Sequence, residues 1–127
     1  MAAATDTAKA KKEILGGIEW PEAVHLAELL DVSIGRLAEI LRISPATMQR
    51  RNSAGRFSLE ESERIIRYAR LWHLATLALG SLDGARSWLK RSQHGLGGRI
   101  PLDEAQLEIG ARLVETLLNR IHYGVLA

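Results

Sequence analysis

The stretch from Ser58 to Gly80 constrains the fold of this chain most. Ser58, with Glu61 three residues later, has the spacing of a capping box that begins a helix, and Gly80 suits its end. Apolar residues recur between them every three or four positions, at Ile65, Ile66, Ala69, Trp72, Thr76 and Leu79. After Tyr68 the opposite face is apolar too, with Leu71, Leu74, Ala75, Leu77 and Ala78. A helix that is apolar on all sides must be covered on all sides. We therefore expect N-terminal helices on one side of it, and C-terminal helices or a second copy of the chain on the other.

Two short amphipathic helices are predicted just before this long helix. Ser33 can cap the first, which carries Ile34, Leu37, Ala38 and Leu41. Arg42 and Ile43 make a brief turn, and Ser44 with Pro45 opens the second, which runs through Arg51. This arrangement is typical of a helix-turn-helix, which exposes the start of its second helix to the DNA major groove. The same arrangement also occurs in small helical domains that bind no DNA.

The second of these helices carries side chains that can read DNA. Gln pairs bidentately with adenine, Arg pairs with guanine, and Thr contacts a phosphate or a thymine methyl. The candidate DNA-binding residues are Thr47, Gln49, Arg50, Arg51 and, in the following loop, Arg56. Residues 36–70 hold eight arginines against four glutamates, whereas residues 95–127 hold three arginines against four acidic residues. The charge asymmetry suggests different partners for the two halves. Arg64, Arg67 and Arg70, spaced by three, are predicted to form a solvent-facing row, either solvated or in contact with phosphates.

The C-terminal half predicts short helices around a glycine-rich loop. Ser81 or Asp83 can cap a helix that includes Trp88, and the run from Gly95 to Pro101 predicts a tight, close-packed loop. A phosphate-binding loop is the disfavoured alternative, because no strand precedes it and the spacing is wrong. Pro101 is expected to start a short helix that Gly110 breaks. The last helix carries an apolar stripe of Leu113, Val114, Leu117, Leu118 and Ile121. The apolar tail of Val125, Leu126 and Ala127 is expected to dock on the protein's own core or on a partner.

These patterns predict an all-α protein with no catalytic or metal site. We expect a disordered tail over residues 1–16, a helix-turn-helix and dimerisation domain over 17–80, and a second helical domain over 81–127. The four histidines form no metal-ligand pair, and no nucleophile stands beside a base, so we expect a binding protein without a cofactor rather than an enzyme. His73 is expected to lie in a core or an interface. The absence of cysteine and of any long apolar run favours a cytoplasmic protein without membrane contact.

Several motifs, in order, resemble the Xre/MbcA/ParS antitoxin family. The helix-turn-helix half shows Arg50-Arg51, Phe57-Ser58-Leu59 and Ser62-Glu63-Arg64. The second half shows Ala85, Trp88-Leu89, Leu96-Gly97-Gly98, Pro101-Leu102, Gly110 and Ile121-x-Tyr123-Gly124, which are similar to that family's toxin-binding domain. The resemblance covers nearly the whole chain from about Gly17. Two positions depart from the family pattern, which often has Gly where this chain has Arg42 and Thr where it has Ile100.

The resemblance implies a type II antitoxin, partnered with a RES-domain toxin of ADP-ribosyltransferase-like fold that acts on NAD. Its N-terminal domain would form a homodimer and bind the promoter of its own operon, while its C-terminal domain would obstruct the toxin's active-site cleft. An NAD pocket offers donors and cations, so an apolar wedge with acceptors would fit it. The candidate toxin-binding residues are Trp88, Leu96, Gly97, Gly98, Arg99, Pro101, Glu115, Arg120, Tyr123, Gly124, Val125, Leu126 and Ala127. Arg99 and Arg120 are candidate ion-pair anchors. The loop and tail are equally compatible with internal packing.

Two other functions remain open from the sequence. One is a stand-alone helix-turn-helix transcriptional regulator, whose C-terminal half serves only for dimerisation. The other is an antitoxin that sequesters its toxin but has lost DNA binding.

Overall fold

A computed structural model of the chain describes residues 7–124 and confirms the all-α prediction. Within these residues the helices are α1 (Thr7–Gly16), α2 (Trp20–Leu30), α3 (Ile34–Leu41), α4 (Pro45–Ala54), α5 (Leu59–Leu79), α6 (Leu82–Lys90), α7 (Pro101–Glu104) and α8 (Glu108–His122). A 3-10 turn at His94–Leu96 lies between α6 and α7. None of the helices in this range combines the length and the hydrophobicity needed to cross a membrane.

The chain divides into two compact units between Arg70 and Leu71. This division falls inside α5, which therefore contributes residues to both units. The sequence analysis placed the boundary ten residues later, after the glycine that ends α5. Gly80 takes a positive φ of 75° there, as its predicted role at the helix end requires.

The first unit is built on α2, α3 and α4, which pack in chain order. Their starts follow the predicted caps, because the Ser33 hydroxyl accepts from the N–H of Arg36 and the Ser44 hydroxyl accepts from the N–H of Thr47. The buried apolar side chains of these helices are Ala23, Leu26, Ala27, Leu30, Leu37, Ala38, Ile40, Leu41 and Met48. The turn between α3 and α4 places Arg42 in the left-handed region, at φ 59°. The predicted helix-turn-helix is thus present.

The first half of α5 completes this unit. The N–H of Ser58 donates to the Glu61 carboxylate at 2.8 Å, and the N–H of Glu61 donates to the Ser58 hydroxyl at 3.2 Å, which confirms the capping box. The predicted solvent-facing arginine row is wrong. Arg64, Arg67 and Arg70 are all half-buried, and the Arg64 guanidinium donates to the carbonyl of Leu41, where it satisfies a carbonyl at the end of α3.

The expectation of a disordered tail is wrong for residues 7–16, which form α1. Alanine, lysine and glutamate in this segment are good helix formers, so local propensity favours the helix even with a single buried residue, Ala10. Residues 1–6 lie outside the described part of the chain. After α1, Gly17 takes φ 82°, and a Cβ there would lie 2.6 Å from the carbonyl oxygen of Phe57. Only glycine suits this close backbone approach.

A short extended link joins α1 to α2 and is held by the segment between α4 and α5. The N–H of Phe57 donates to the carbonyl of Ile18, and the rings of Trp20 and Phe57 stack at 5.7 Å. The buried N–H of Ile18 donates to the hydroxyl of Ser62, which is fully buried. A single hydroxyl on α5 therefore satisfies a backbone donor of this link.

The second unit packs α7 against α6 and against α8. Ser81 caps α6 by accepting from the N–H of Gly84. The prediction that Gly110 breaks a helix is wrong, because this residue lies inside α8 and is buried. A Cβ at Gly110 would overlap the carbonyl oxygen of Glu104. The glycine is thus required by the close approach of α7 to α8, a contact that local sequence does not reveal.

The glycine-rich loop is tight, as predicted. Gly97 and Gly98 have positive φ values of 65° and 83°. The backbone of Gln93 pairs with that of Arg99, which closes the loop on itself. Ile100, at the N-cap position of α7, offers no side-chain hydrogen bond, in agreement with its departure from the family pattern.

Candidate functional site

The outward face of α4 is the first candidate binding surface. Ala46, Gln49 and Arg50 are exposed and Thr47 is half-buried, while Met48 points into the core of the first unit. Ala46, Gln49 and Arg50 also line one shallow concave surface. The helix therefore turns toward solvent three of the polar side chains that sequence reasoning assigned to DNA binding: Thr47, Gln49 and Arg50.

Side-chain hydrogen bonds order this face from the cap of α4 onward. The Ser44 hydroxyl donates to Thr47 Oγ1 at 3.0 Å, and Arg50 Nη2 donates to the same oxygen at 2.8 Å. The three residues are spaced by three and follow one edge of the helix. The Arg50 guanidinium is consequently held along the start of α4, although its side chain is exposed.

Arg51 is arranged differently from its neighbour. Its Nε and Nη2 donate to the two carboxylate oxygens of Glu61 at 2.6 and 3.1 Å. Burial alone would raise the pKa of Glu61, but hydrogen bonds from Arg51 and Ser58 outweigh it, so the pKa lies below its ordinary value. The same pair raises the pKa of Arg51. The structure thus gives Arg51 a partner inside the fold, joining α4 to the start of α5.

Arg56 also has partners within the first unit. Its Nη1 donates to the carbonyls of Gly16 and Gly17, and its Nη2 lies 3.0 Å from a carboxylate oxygen of Glu19. These contacts fasten the end of α1 and the link to α2. Arg51 and Arg56 are therefore ordered by intramolecular contacts, and of the five predicted DNA-binding residues only Thr47, Gln49 and Arg50 lie on the outward face of α4.

The residues predicted for toxin binding divide into buried and accessible groups. Leu96 and Pro101 are buried in the second unit, so they support the loop rather than present themselves at its surface. Gly97, Gly98 and Arg99 are exposed, and Trp88 is half-buried. Arg99 is paired with Glu104 at 2.6 Å, with 60% of the arginine side chain exposed. The loop thus offers backbone groups and one guanidinium to a partner.

The outer face of α8 is an exposed surface that the sequence analysis only partly identified. Ile109 and Leu113, one turn apart, are 73% and 50% exposed. Thr116, Arg120 and Tyr123 follow on the same face, and all three are exposed. The opposite face is buried through Gly110, Ala111, Val114 and Leu118. We name the exposed set Ile109, Leu113, Thr116, Arg120 and Tyr123 the outer face of α8.

Sequence reasoning placed Leu113 in the buried stripe and did not select Ile109. The sequence carried no signal for the exposure of either residue, because this exposure depends on which face of α8 packs inward, here the face of Gly110, Ala111, Val114 and Leu118. Glu115 is half-buried, and Gly124 is exposed beyond the helix end. His73, expected in a core or an interface, is exposed in the single chain. Val125, Leu126 and Ala127 lie outside the described residues.

The two halves of the chain match two family models. Residues 10–70 match the antitoxin Xre-like helix-turn-helix domain, and residues 74–124 match the antitoxin Xre/MbcA/ParS C-terminal toxin-binding domain. The chain is also similar to two proteins named Antitoxin Xre. It is 40% identical over 93 residues to the protein of Yersinia enterocolitica serotype O:8 / biotype 1B. This match covers 69% of the chain and 63% of the relative. The chain is 36% identical over 95 residues to the protein of Photorhabdus laumondii subsp. laumondii. This match covers 73% of the chain and 64% of the relative.

The matched region thus spans slightly less than two thirds of either relative. Both halves of the motif series named above fall within the two matched domains, in the same order. The chain belongs to the Xre/MbcA/ParS family of antitoxins of toxin–antitoxin systems.

Proposed function

We propose that this chain neutralises a RES-type toxin that uses NAD, by occluding the toxin's active site, and that it also binds the promoter DNA of its operon. The observation that carries the first part is the outer face of α8, which lies inside the segment matching a toxin-binding domain. The family suggests a regulatory role rather than catalysis. The RES identity of the toxin, its use of NAD and the occlusion rest on the motif resemblance.

The outer face of α8 has the composition of a protein-binding helix. Two large aliphatic side chains stand one turn apart, and an arginine and a tyrosine follow toward the C-terminal end. An amphipathic helix of this kind binds a groove through anchors spaced by three and four residues. Aromatic residues and arginine are enriched among the residues that dominate binding energy. We therefore assign Ile109, Leu113, Arg120 and Tyr123 to the toxin interface.

To occlude the active site, groups of this chain must occupy the toxin's NAD-binding pocket in place of the dinucleotide. Such a pocket holds donors and cations for the pyrophosphate, so the backbone carbonyls of the exposed residues Gly97 and Gly98 are suitable acceptors. Arg99 is paired with Glu104, and its guanidinium can exchange this carboxylate for one of the toxin when the two proteins meet. Leu96 and Pro101 are buried and support the loop from the core of the second unit.

The test is an NAD-consumption assay with the toxin encoded beside this chain, with and without the antitoxin. We expect the full chain to co-purify with the toxin and suppress turnover. Ile109→Glu and Leu113→Glu should weaken inhibition at least about ten-fold, since each places a charge in an apolar contact. Leu15→Glu is the matched control, because Leu15 is 66% exposed but lies in the first unit. If all three variants inhibit like the wild type, the outer face of α8 is not the interface.

Deletion of residues 123–127 tests the tail separately. If the shortened chain still binds the toxin but no longer blocks NAD consumption, the tail acts in occlusion. Unchanged inhibition by the shortened chain would exclude the tail from that role.

DNA binding is supported by the exposed side chains of α4 and by the helix-turn-helix match. A homodimer would present two such helices to successive turns of one DNA face, so we also propose a dimer in the cytoplasm. The double variant Gln49→Ala, Arg50→Ala should lose promoter binding in a gel-shift assay and retain toxin inhibition. A wild-type chain that binds the promoter but neither binds nor inhibits the toxin would favour the stand-alone regulator instead. Sedimentation of the free chain as a monomer at every concentration would exclude the dimer.

A further inference from the structure

The hydrogen-bonded series Ser44–Thr47–Arg50 has an arrangement that the general assignment of α4 to DNA does not explain. Thr47 Oγ1 accepts two hydrogen bonds, one from the Ser44 hydroxyl at 3.0 Å and one from Arg50 Nη2 at 2.8 Å. The Ser44 oxygen in turn accepts from the N–H of Thr47 at 3.1 Å. The threonine hydroxyl therefore has both of its lone pairs engaged and its position fixed by the cap of α4.

We propose that Arg50 is the residue of this chain that recognises guanine in the major groove, and that Thr47 is its positioning residue. This inference rests on the proposed DNA binding and names the residue pair that supplies its specificity. Arg50 is exposed and lies on the part of α4 that a helix-turn-helix inserts into the groove. The Thr47 contact uses one N–H of a guanidinium, which leaves enough N–H groups for a two-pronged contact with the O6 and N7 of guanine.

Preorganisation is the physical benefit of the threonine contact. A free arginine on a helix surface samples many rotamers and loses that freedom when it binds a base. The hydrogen bond to Thr47 already restricts those rotamers and directs the guanidinium along the N-terminal half of α4. Arg51, the next residue, cannot make such a contact while folded, because its Nε and Nη2 both donate to the carboxylate of Glu61.

A phosphate contact is the competing role for Arg50, and the two roles have different signatures. Base recognition makes affinity depend on the sequence of the duplex, while a phosphate contact lowers affinity equally for all duplexes and reduces the salt dependence of binding. The experiment is selection of bound duplexes from a randomised DNA pool by the full chain. It is followed by affinity measurements, over a range of salt concentrations, on the selected duplex and on versions with single-base changes.

We expect the wild type to select a guanine at one position of each half-site, and Arg50→Lys to lose that preference by roughly ten-fold or more, because lysine lacks the two-pronged geometry. Thr47→Val keeps the shape of threonine but removes the hydroxyl, so it should lose several-fold of the same preference, roughly a factor of three to ten for one hydrogen bond. Thr47→Ser, which keeps the hydroxyl, should retain the guanine preference of the wild type. These variants should unfold at nearly the wild-type temperature, since Ser44 still caps α4.

Three results would overturn the proposal. An Arg50→Lys protein that retains the guanine preference would show that Arg50 does not recognise the base. A Thr47→Val protein with wild-type preference would remove the positioning role. A uniform loss of affinity in Arg50→Ala, with a smaller salt slope, would reassign Arg50 to a phosphate. A wild-type chain that binds no duplex would instead refute the proposed DNA binding itself, while toxin inhibition would be unaffected.

Discussion

The buried carboxylate of Glu61 should make the stability of the first unit depend on pH. Glu61 is only 8% exposed and accepts hydrogen bonds from Arg51 Nε at 2.6 Å, Arg51 Nη2 at 3.1 Å and the Ser58 N–H at 2.8 Å. Hydrogen bonds to charged groups contribute about 1.5–3 kcal/mol each. Glu61→Gln keeps the shape and one acceptor oxygen but loses the charge. Allowing for the part-exposed arginine, we expect the free energy of unfolding to fall by about 2 kcal/mol at neutral pH.

The pH dependence follows from the direction of the pKa shift. Because the pKa of Glu61 is lower in the folded chain than in the unfolded chain, its contribution is complete above the unfolded value of about 4.3 and is lost as the pH falls through the folded value. Glu61→Gln cannot titrate, so the difference in unfolding free energy between it and the wild type should shrink toward zero in acid.

Urea unfolding followed by circular dichroism, repeated from neutral pH down to about pH 3, measures this difference. Glu60→Gln is the matched control, because Glu60 is exposed on the same turn, and its effect should stay within about 0.5 kcal/mol. The reasoning is refuted if Glu61→Gln destabilises no more than the control, or if the gap between Glu61→Gln and the wild type is the same at every pH.

Three further substitutions test the packing by thermal and urea unfolding. Gly110→Ala should cost about 2 kcal/mol, because its Cβ would overlap a carbonyl of α7. Gly35→Ala, where a Cβ would make only an ordinary contact of 3.8 Å with the Ser33 hydroxyl oxygen, should change stability by about 0.5 kcal/mol or less, and equal effects of the two substitutions would contradict the close approach. Arg42→Gly should add about 0.5 kcal/mol by relieving the left-handed backbone, and a loss would show that the arginine side chain matters more. Ser62→Ala should cost about 2 kcal/mol, since the buried N–H of Ile18 loses its acceptor, and a near-neutral result would mean that water replaces the hydroxyl.

Local signals were sufficient to predict the starts of α3, α4 and α5. The caps at Ser33 and Ser44 and the capping box of Ser58 with Glu61 involve residues three apart in sequence, so their chemistry is visible without the fold. The turn at Arg42 and Ile43 was likewise predicted from its position between two short helices, whereas the left-handed backbone of Arg42 was not predicted.

Contacts between distant segments were not predictable in the same way. Gly110 was interpreted as a helix breaker because glycine is a poor helix former, yet the approach of α7 makes it necessary inside α8. Arg56 was assigned to DNA from its charge alone, while its partners lie about forty residues earlier in the chain. Ile109 was not selected because an exposed isoleucine looks like any other apolar residue in a helical stripe. Which side of a helix remains uncovered depends on neighbours that a periodic pattern does not identify.

The adjacent arginines 50 and 51 should behave as two different kinds of allele in a genetic screen. If the chain represses its own operon as proposed, both would be recovered as mutants defective in repression, and their neighbouring positions invite one explanation for both. The ion pair of Arg51 with Glu61 indicates otherwise, since its loss would weaken the folded unit and not the contact with the operator. Alleles at Arg51 should therefore be temperature-sensitive and regain repression in the cold, whereas alleles at Arg50 should fail at every temperature. A screen at a single temperature would map both to one recognition surface, although in the proposed assignment only Arg50 belongs to it.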